Sequence, residues 1–586
     1  MCGVAGLVNF DRDLGAESVS AVLRMINAEV HRGPDDWGIL LPDFILNDPN
    51  LTGLLQSYDR RHIRTYPGAP GRPFAVLGAR RLSILDLSVA GRMPMGTADG
   101  KVWITYNGEI YNFCELRNEL CARGYTFNSG TDTEVILNGY LEWGTDVVTH
   151  LRGMFAFGIW DCRTRPALFL AKDRFGIKPL YWIRERGSVI FASEVRSCLA
   201  SSLVERNCEP RALRGFLTLG SVPTPWTTIR YLYSLPAAHT LSIDDRSYSI
   251  PAPRRYWDVP SVSSTRMSLE DSIAKTKALL DDSLRHHLVS DVPLGVFLSG
   301  GMDSSIITKL AAKYSASQLT TITASFEDEL LSEGKKAAEL AANLGTRHIN
   351  VHLDHRDFTE NLDRIVQSMD QPSVDGVNTY FVAKAAHESG LKVVLSGLGG
   401  DEIFWGYSHF KRMNYLSILS RPPLRTAAAI LGDFANKAGP ARLGKLKFLR
   451  LDGIIGPYCV LRGLFTPSEV RDLLDCDGPF PLEDLKPQQF TAETLGRLEI
   501  ELYLQNQLLR DTDVFSMAHS VEVRVRSWII CSSNTCAQFL VPTSSHGTYK
   551  SHFWRARLPT VMQRLPWFRR KASRFQCTPG FGTPQL

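Results

Sequence analysis

Apolar positions along the first 200 residues come in short runs broken by turn signals. The clearest are Ala75–Ala79, Val102–Tyr106, Met154–Trp160, Ala167–Ala171 and Val189–Ala192. Runs of this length and bounding read as strands. Between them, Asn112–Arg123 spaces its apolar residues for one helical face, and Gly124 stops it. Prolines then recur at Pro223, Pro225, Pro251 and Pro253, a stretch that reads as connection between domains.

From Ser268 onward strand and helix patterns alternate. A helix over Leu269–Val289 leads to a strand at Pro293–Leu298, and the turn Ser299-Gly300-Gly301 opens a helix at Ser304–Tyr314. A strand at Thr320–Phe326, a helix at Gly334–Leu344, a strand at His348–Leu353, a helix at Val377–Glu388 and a strand at Lys392–Leu395 follow. Uninterrupted apolar strands alternating with helices predict a doubly wound parallel α/β sheet covered on both faces. Ligands of such sheets sit beyond the carboxyl ends of the strands, where both glycine-rich turns of this half fall.

A chain of 586 residues is too long for one core, so at least two domains are expected. A hydrophobic share of 44% and a charged share of 22% place it among ordinary globular proteins. The net charge of +5 carries no basic stripe with interleaved aromatics, and Arg569-Arg570-Lys571 reads as a solvated tail; nucleic acid is not an expected partner. No stretch is apolar for the ~18–20 residues of a membrane span. No secretory signal is readable, and a cytoplasmic location without membrane association is expected. The eleven cysteines include no Cys-x-x-Cys pair, and Cys531 and Cys536 lack companion ligands, so neither a disulfide frame nor a zinc ribbon fits. Most of them are expected to be small buried hydrophobes.

Candidate chemistry begins at Cys2. If Met1 is removed, its α-amine, near pKa ~8, can act as the base for its own thiol, whose thiolate is the competent nucleophile. Four motifs accompany it: His31-Arg32-Gly33-Pro34-Asp35, Arg80-Arg81-Leu82-Ser83-Ile84-Leu85-Asp86, Tyr106-Asn107-Gly108-Glu109-Ile110-Tyr111-Asn112 and Thr131-Asp132-Thr133-Glu134. With Arg152–Phe157 and Asp173–Leu180, and in this order, they resemble class II glutamine amidotransferases over nearly all of residues 2–200. The stretch Asn47–Pro73 is longer than that resemblance expects. The resemblance implies an N-terminal-nucleophile αββα fold and a set of roles. Cys2 would be the nucleophile, and Asn107 and the Gly108 N–H would form the oxyanion hole. Arg81 would clamp the α-carboxylate of glutamine, with Leu82, Ser83, Ile84 and Leu85 alongside. Asp132 and Glu109 would hold the substrate amine and the loop.

In the second half, Leu298-Ser299-Gly300-Gly301-Met302-Asp303-Ser304-Ser305 joins a strand to a helix. Glycine backbone N–H groups and a helix N-terminus suit an anion, yet no Gly-Lys-Ser/Thr ends the loop, so it is not a Walker loop. It resembles the pyrophosphate loop of adenylating enzymes. A second turn, Leu395-Ser396-Gly397-Leu398-Gly399-Gly400-Asp401-Glu402, follows another buried strand. Asp303 and Asp401 would then lie at neighbouring strand ends, an arrangement that suits magnesium bridging phosphates. With Asp511–Val525, this half resembles the glutamine-hydrolysing asparagine synthetases. The resemblance implies an ATP site using Leu298, Ser299, Gly300, Gly301, Asp303, Ser304, Ser305, Ala324, Ser396, Gly397 and Lys550. ATP would activate a carboxylate, aspartate by this resemblance, as an acyl-adenylate. Ammonia released from glutamine would cross a dry passage to attack it; a homodimer is compatible with the pattern.

Two departures stand out. Position 398 is leucine where that family usually has an acid, and after Val525 the sequence Arg526–Cys531 replaces the usual Pro-Phe-Leu-Asp-like stretch. The expected organisation is a glutaminase domain over 2–205, a connection over 206–267, a synthetase domain over 268–525 and a divergent end over 526–586. Two other readings stay open: an amidotransferase of the same architecture acting on another carboxylate in cell-surface or specialised metabolism, and a non-catalytic paralogue.

Overall fold

The computed structural model describes residues 2–10, 15–49, 51, 55–185, 187–244, 251–260, 268–315, 318–326, 334–404, 406–407, 413–438, 441–451, 453–474, 482 and 492–525. In the first half the strands are β1 (Cys2–Asn9), β2 (Asp36–Pro42), β3 (Ile63–Tyr66), β4 (Phe74–Arg81), β5 (Met95–Gly96), β6 (Val102–Ile110), β7 (Gly153–Asp161), β8 (Ala167–Lys172), β9 (Tyr181–Glu185), β10 (Ser188–Ala192), β11 (Tyr233–Ser234), β12 (His239–Asp244) and β13 (Arg254–Arg255). They form two sheets, ordered β11-β9-β10-β1-β4-β2-β3 and β13-β12-β8-β7-β6-β5. Alternation along the strands explains the layering, since successive side chains point to opposite faces. Val4, Val8 and Leu77 from the first sheet meet Ala156, Trp160 and Leu170 from the second in one core. The opposite face of the first sheet, with Ala5, Leu7 and Val76, is covered by the helices Gly15–Ala28 and Val195–Ala200. The outer face of the second, with Phe155, Phe157 and Phe169, is covered by Phe113–Ala122 and Asp132–Trp143. The result is the expected αββα sandwich.

Each strand and helix expected in this half is present to within a few residues at its ends. The stretch 206–267 differs from a plain connection. Its strand β11 pairs with β9 and its strand β12 with β8, extending both sheets. The physical reason is that β8 and β9 would otherwise present unpaired edges. The cysteines also depart from expectation: Cys2, Cys198 and Cys459 are buried, but Cys114, Cys121 and Cys208 are exposed and Cys162 is half-buried.

The second half holds β14 (Leu294–Phe297), β15 (Thr320–Phe326), β16 (Arg347–Leu353), β17 (Val393–Ser396) and β18 (Glu522–Val525). All are parallel, in the order β16-β15-β14-β17-β18. The order reverses between β14 and β17, which is the switch point where an open α/β sheet binds its ligands. The two glycine-rich loops leave the sheet at those two strand ends. Among the described residues no helix is long and apolar enough to cross a membrane.

Candidate active site

The first strand delivers Cys2 to one end of the sandwich. It lies in register opposite Arg81 on β4, and its backbone N–H donates to Asn107 Oδ1 at 2.9 Å. Asn107 Nδ2 is buried and donates to no acceptor among the described residues. A buried donor left so costs about 1–3 kcal/mol, which makes it a candidate donor to a ligand. Gly108 follows with φ of 157°, and a Cβ there would lie 2.1 Å from Met154 O. Only glycine lets β6 approach β7 this closely, leaving the Asn107–Gly108 backbone beside Cys2. Burial pushes the Cys2 thiol above its ordinary value, against the pull of nearby positive charge and of the Leu82 N–H. An uncharged thiol needs a base before it can attack.

Arg81 is 6% exposed, and its guanidinium donates to the carbonyls of Ser88, Leu85 and Asp86 at 3.0, 3.3 and 2.5 Å. It thereby folds residues 82–88 into a cradle. Asp86 completes it from a left-handed conformation, φ 51°, accepting from Gly130 N–H at 2.7 Å. Asp132 opens the helix Asp132–Trp143 and accepts from Tyr106 Oη at 2.6 Å and Ile110 N–H at 2.8 Å. Glu109 points instead to the far half of the chain, with Oε1 3.1 Å from Arg524 Nη2.

In the second half, Gly300 takes φ of 70°, and Gly301 caps the helix Met302–Tyr314 without any side-chain bond to its first turn. Those N–H groups and the helix dipole suit phosphate. Ser299 and Ser304 hydroxyls lie 3.1 Å apart, and Ser305 Oγ donates to Gly301 O at 2.5 Å, fixing the turn. The second loop closes on the first. A Cβ on Gly397 would lie 2.9 Å from Ser304 N, and one on Gly400 2.6 Å from Asp303 Cγ. Both positions must therefore be glycine for the Asp303 carboxylate to rest against the residue preceding Asp401. Ala324 lies on β15, and Leu298 is buried at the end of β14. Lys550 lies outside the described residues.

Between the two sites runs one apolar cluster. Tyr111 and Met154, beside the Asn107–Gly108 strand, belong to it together with Val523 and Val525 of β18 and with Met302 and Leu398 of the two loops.

Two family models match the chain: the glutamine amidotransferase domain over residues 71–257 and asparagine synthase over 275–526. Asparagine synthetase [glutamine-hydrolyzing] 1 of Bacillus subtilis is 31% identical over 540 residues, covering 90% of this chain and 79% of that protein. The chain belongs to the glutamine-hydrolysing asparagine synthetase family. A putative asparagine synthetase of Mycobacterium tuberculosis is 32% identical over 564 residues, 90% of this chain and 80% of its own. The amidase chyE of Penicillium rubens is 30% identical over 402 residues, 65% of this chain and 57% of its own. The chain is thus a glutamine-hydrolysing ligase of a family that uses ATP as co-substrate.

Within this member of the family the sequence motifs do more than line two candidate sites. Arg32, fully buried, donates to Glu194 at 3.0 Å and crosses to Asp513 at 2.7 Å; Lys178 Nζ reaches the same carboxylate at 3.4 Å. Asp35 accepts from Ser83 N–H at 2.7 Å and from Lys392 Nζ at 2.8 Å. Arg524 ties β18 to both halves. These joints between the halves were missed from sequence. The signal available was that charged residues sit inside motif runs that otherwise read as core.

Proposed function

We propose that the chain makes an amide from ATP, glutamine and a carboxylate, aspartate first among candidates, using residues 2–205 as glutaminase and 268–525 as synthetase. The α-amine of Cys2 takes the thiol proton, and the thiolate attacks the glutamine carboxamide carbon. Asn107 Nδ2 and the Gly108 N–H hold the oxyanion, a donor worth about 2.7–4 kcal/mol in other enzymes. Arg81 and the Leu82–Leu85 cradle hold the substrate carboxylate end, Asp132 holds its amine end, and Glu109, turned to Arg524, fixes the loop between them. Ammonia leaves, and water cleaves the thioester to glutamate.

At the second site the Ser299–Ser305 loop holds the phosphates of ATP, and Ala324, Ser396 and Gly397 flank the nucleotide. The acceptor carboxylate attacks the α-phosphorus and pyrophosphate leaves; ammonia then attacks the acyl-adenylate and AMP leaves. Among the described residues no cluster of three or more His, Cys, Asp or Glu side chains forms a metal cage. Asp303 against Gly400, with Asp401 next, fits magnesium, which takes one or two carboxylates and otherwise phosphate and water. Held by Asp303 and Asp401, that ion would neutralise charge on the departing pyrophosphate.

The apolar cluster from Tyr111 and Met154 to Met302 and Leu398 supports this reading most directly. A dry route lets ammonia travel without protonation or loss. The test is Cys2→Ala: glutamine hydrolysis is abolished while pyrophosphate release with free ammonia persists. Equal loss of both at saturating ammonia sinks the two-site scheme. Leu398 within that cluster favours a second reading, a less polar acceptor than aspartate. A panel of carboxylic acids scored by pyrophosphate release separates the two. A cytoplasmic location and a homodimer remain part of the proposal.

A further inference from the structure

Arg524 is fully buried and sits on β18 opposite Leu395, one residue before the pairing of Val525 with Ser396, where the second nucleotide loop begins. Its guanidinium points three ways. Nε meets Glu522 Oε1 at 2.6 Å on its own strand. Nη1 donates to the carbonyls of His287 and Val289, both at 2.7 Å, where the helix Leu269–His287 ends and the chain turns toward β14. Nη2 forms an ion pair at 3.1 Å, without hydrogen-bond geometry, with Glu109, which follows Gly108 directly. One planar group thus touches the strand beside one nucleotide loop, the turn leading to the other, and the oxyanion strand of the glutaminase.

The turn 287–292 adds contacts of its own to both walls of the glutamine site. The His287 ring stacks on Tyr111, with centroids 3.8 Å apart. Asp291 N–H donates to Ile84 O at 3.1 Å, and its carboxylate accepts from Asp86 N–H at 2.9 Å. Ile84 and Asp86 belong to the cradle that Arg81 folds. The turn enters β14, whose far end carries the first nucleotide loop, so that strand, the cradle and the oxyanion strand are joined at one place.

We propose that Arg524 is a positioning residue that couples the two reactions: filling the nucleotide and acceptor sites sets the geometry of the glutamine site and raises its turnover. The inference rests on the two-site reading above. The planar guanidinium is what the role needs, because a lysine keeps the charge but its rotatable ammonium on a flexible stem cannot hold Glu522, the two carbonyls and the Glu109 ion pair at once in a fixed geometry.

The experiment measures glutaminase kcat and KM with and without ATP, magnesium and aspartate, and the glutamate formed per pyrophosphate, in the full chain and in Arg524→Lys. In the full chain the three ligands raise glutaminase kcat several-fold at little change in KM, and glutamate and pyrophosphate form in near-equal amounts. In Arg524→Lys the stimulation falls at least threefold and the glutamate-to-pyrophosphate ratio rises, while pyrophosphate release with free ammonia stays within about twofold. Asp291→Ala, at an exposed turn where folding is not in question, moves the stimulation in the same direction. Undiminished stimulation in Arg524→Lys, or in Asp291→Ala where the lysine variant does not fold, overturns the proposal, as does a full chain whose glutaminase ignores the three ligands. A full chain that releases no pyrophosphate with free ammonia and any acid of the panel overturns the two-site reading itself.

Discussion

Replacing Asp513 by asparagine tests how the two halves are held together. Its carboxylate sits 2.7 Å from Arg32 Nη2 and 3.4 Å from Lys178 Nζ, and all three side chains are at most 2% exposed. Breaking a buried pair by removing one partner typically costs about 3–5 kcal/mol, because the other charge is left uncompensated. Here two cations lose an anion, but neither is stranded equally. Arg32 keeps Glu194 at 3.0 Å. Lys178 is already pushed below its ordinary range by burial, so it can shed its proton and limit the loss. Asp513→Asn is therefore expected to destabilise by about 3–5 kcal/mol at pH 7, near the lower end of that range. The loss shrinks as pH rises: between the lowered folded pKa of Lys178 and its unfolded value near 10.4, the unfolded state binds more protons, so stability rises with pH. Adding Lys178→Met to Asp513→Asn should recover part of the stability at pH 7 and flatten the pH dependence. Urea unfolding followed by tryptophan fluorescence at pH 7 and pH 9 measures all three variants. A loss below about 1 kcal/mol at pH 7, the level of an exposed pair, refutes the reasoning.

Asp303→Asn and Asp401→Asn are each expected to remove magnesium-dependent pyrophosphate release while glutamine hydrolysis persists; unchanged release in either shows that its carboxylate does not hold the ion. Leu398→Glu places an acid where ammonia should attack, a general base being worth typically about 10²–10⁴-fold when well placed. The native chain should make asparagine slowly and Leu398→Glu faster. Turnover of the native chain on the order of 1 s⁻¹ or above, with no gain in the variant, would remove the argument from this position. Glu402, buried and accepting a hydrogen bond from Tyr407, is pushed up to about 7 by burial. Its folded value exceeds its unfolded one, so its contribution to stability is present below about 4.5 and is lost as pH rises through 7. Glu402→Gln should raise the melting temperature more at pH 8 than at pH 4, below the unfolded value of 4.5; an equal shift at both would exclude ionisation as the cause.

The nucleotide side of the fold was legible because local pattern and tertiary role agree there. Apolar strands end in glycine turns, and the two loops emerge at β14 and β17, beside the reversal of strand order. β18 was not legible. Its four residues, Glu522-Val523-Arg524-Val525, carry two charges, and no strand was expected there, yet all four are buried. What makes burial tolerable is a set of partners hundreds of positions away, Glu109 and the carbonyls of His287 and Val289. Sequence spacing holds no trace of them. The same holds for Asp513 with Arg32 and Lys178, where three motifs that each looked like part of one pocket meet at a joint. The strands β11 and β12 were hidden by the prolines around them. At the candidate glutamine site the motifs named residues that the structure brings together, but the orphaned Asn107 Nδ2 and the Arg81-folded cradle are visible only in three dimensions.

The apolar cluster shared by the two halves also sets how this enzyme can be taken apart. Tyr111, Met154, Phe175 and Ile177 from the first half share a buried cluster with Ile500, Leu504 and Val523 of the second. Cut at the connection, the first half would present these side chains to water together with Arg32 and Lys178 stripped of Asp513. A chain expressed to residue 257 is then a sticky fragment rather than a stand-alone hydrolase. Exchanging glutaminase halves between relatives would fail for the same reason unless the opposing surface travels with them, and separately made halves should refind each other in solution.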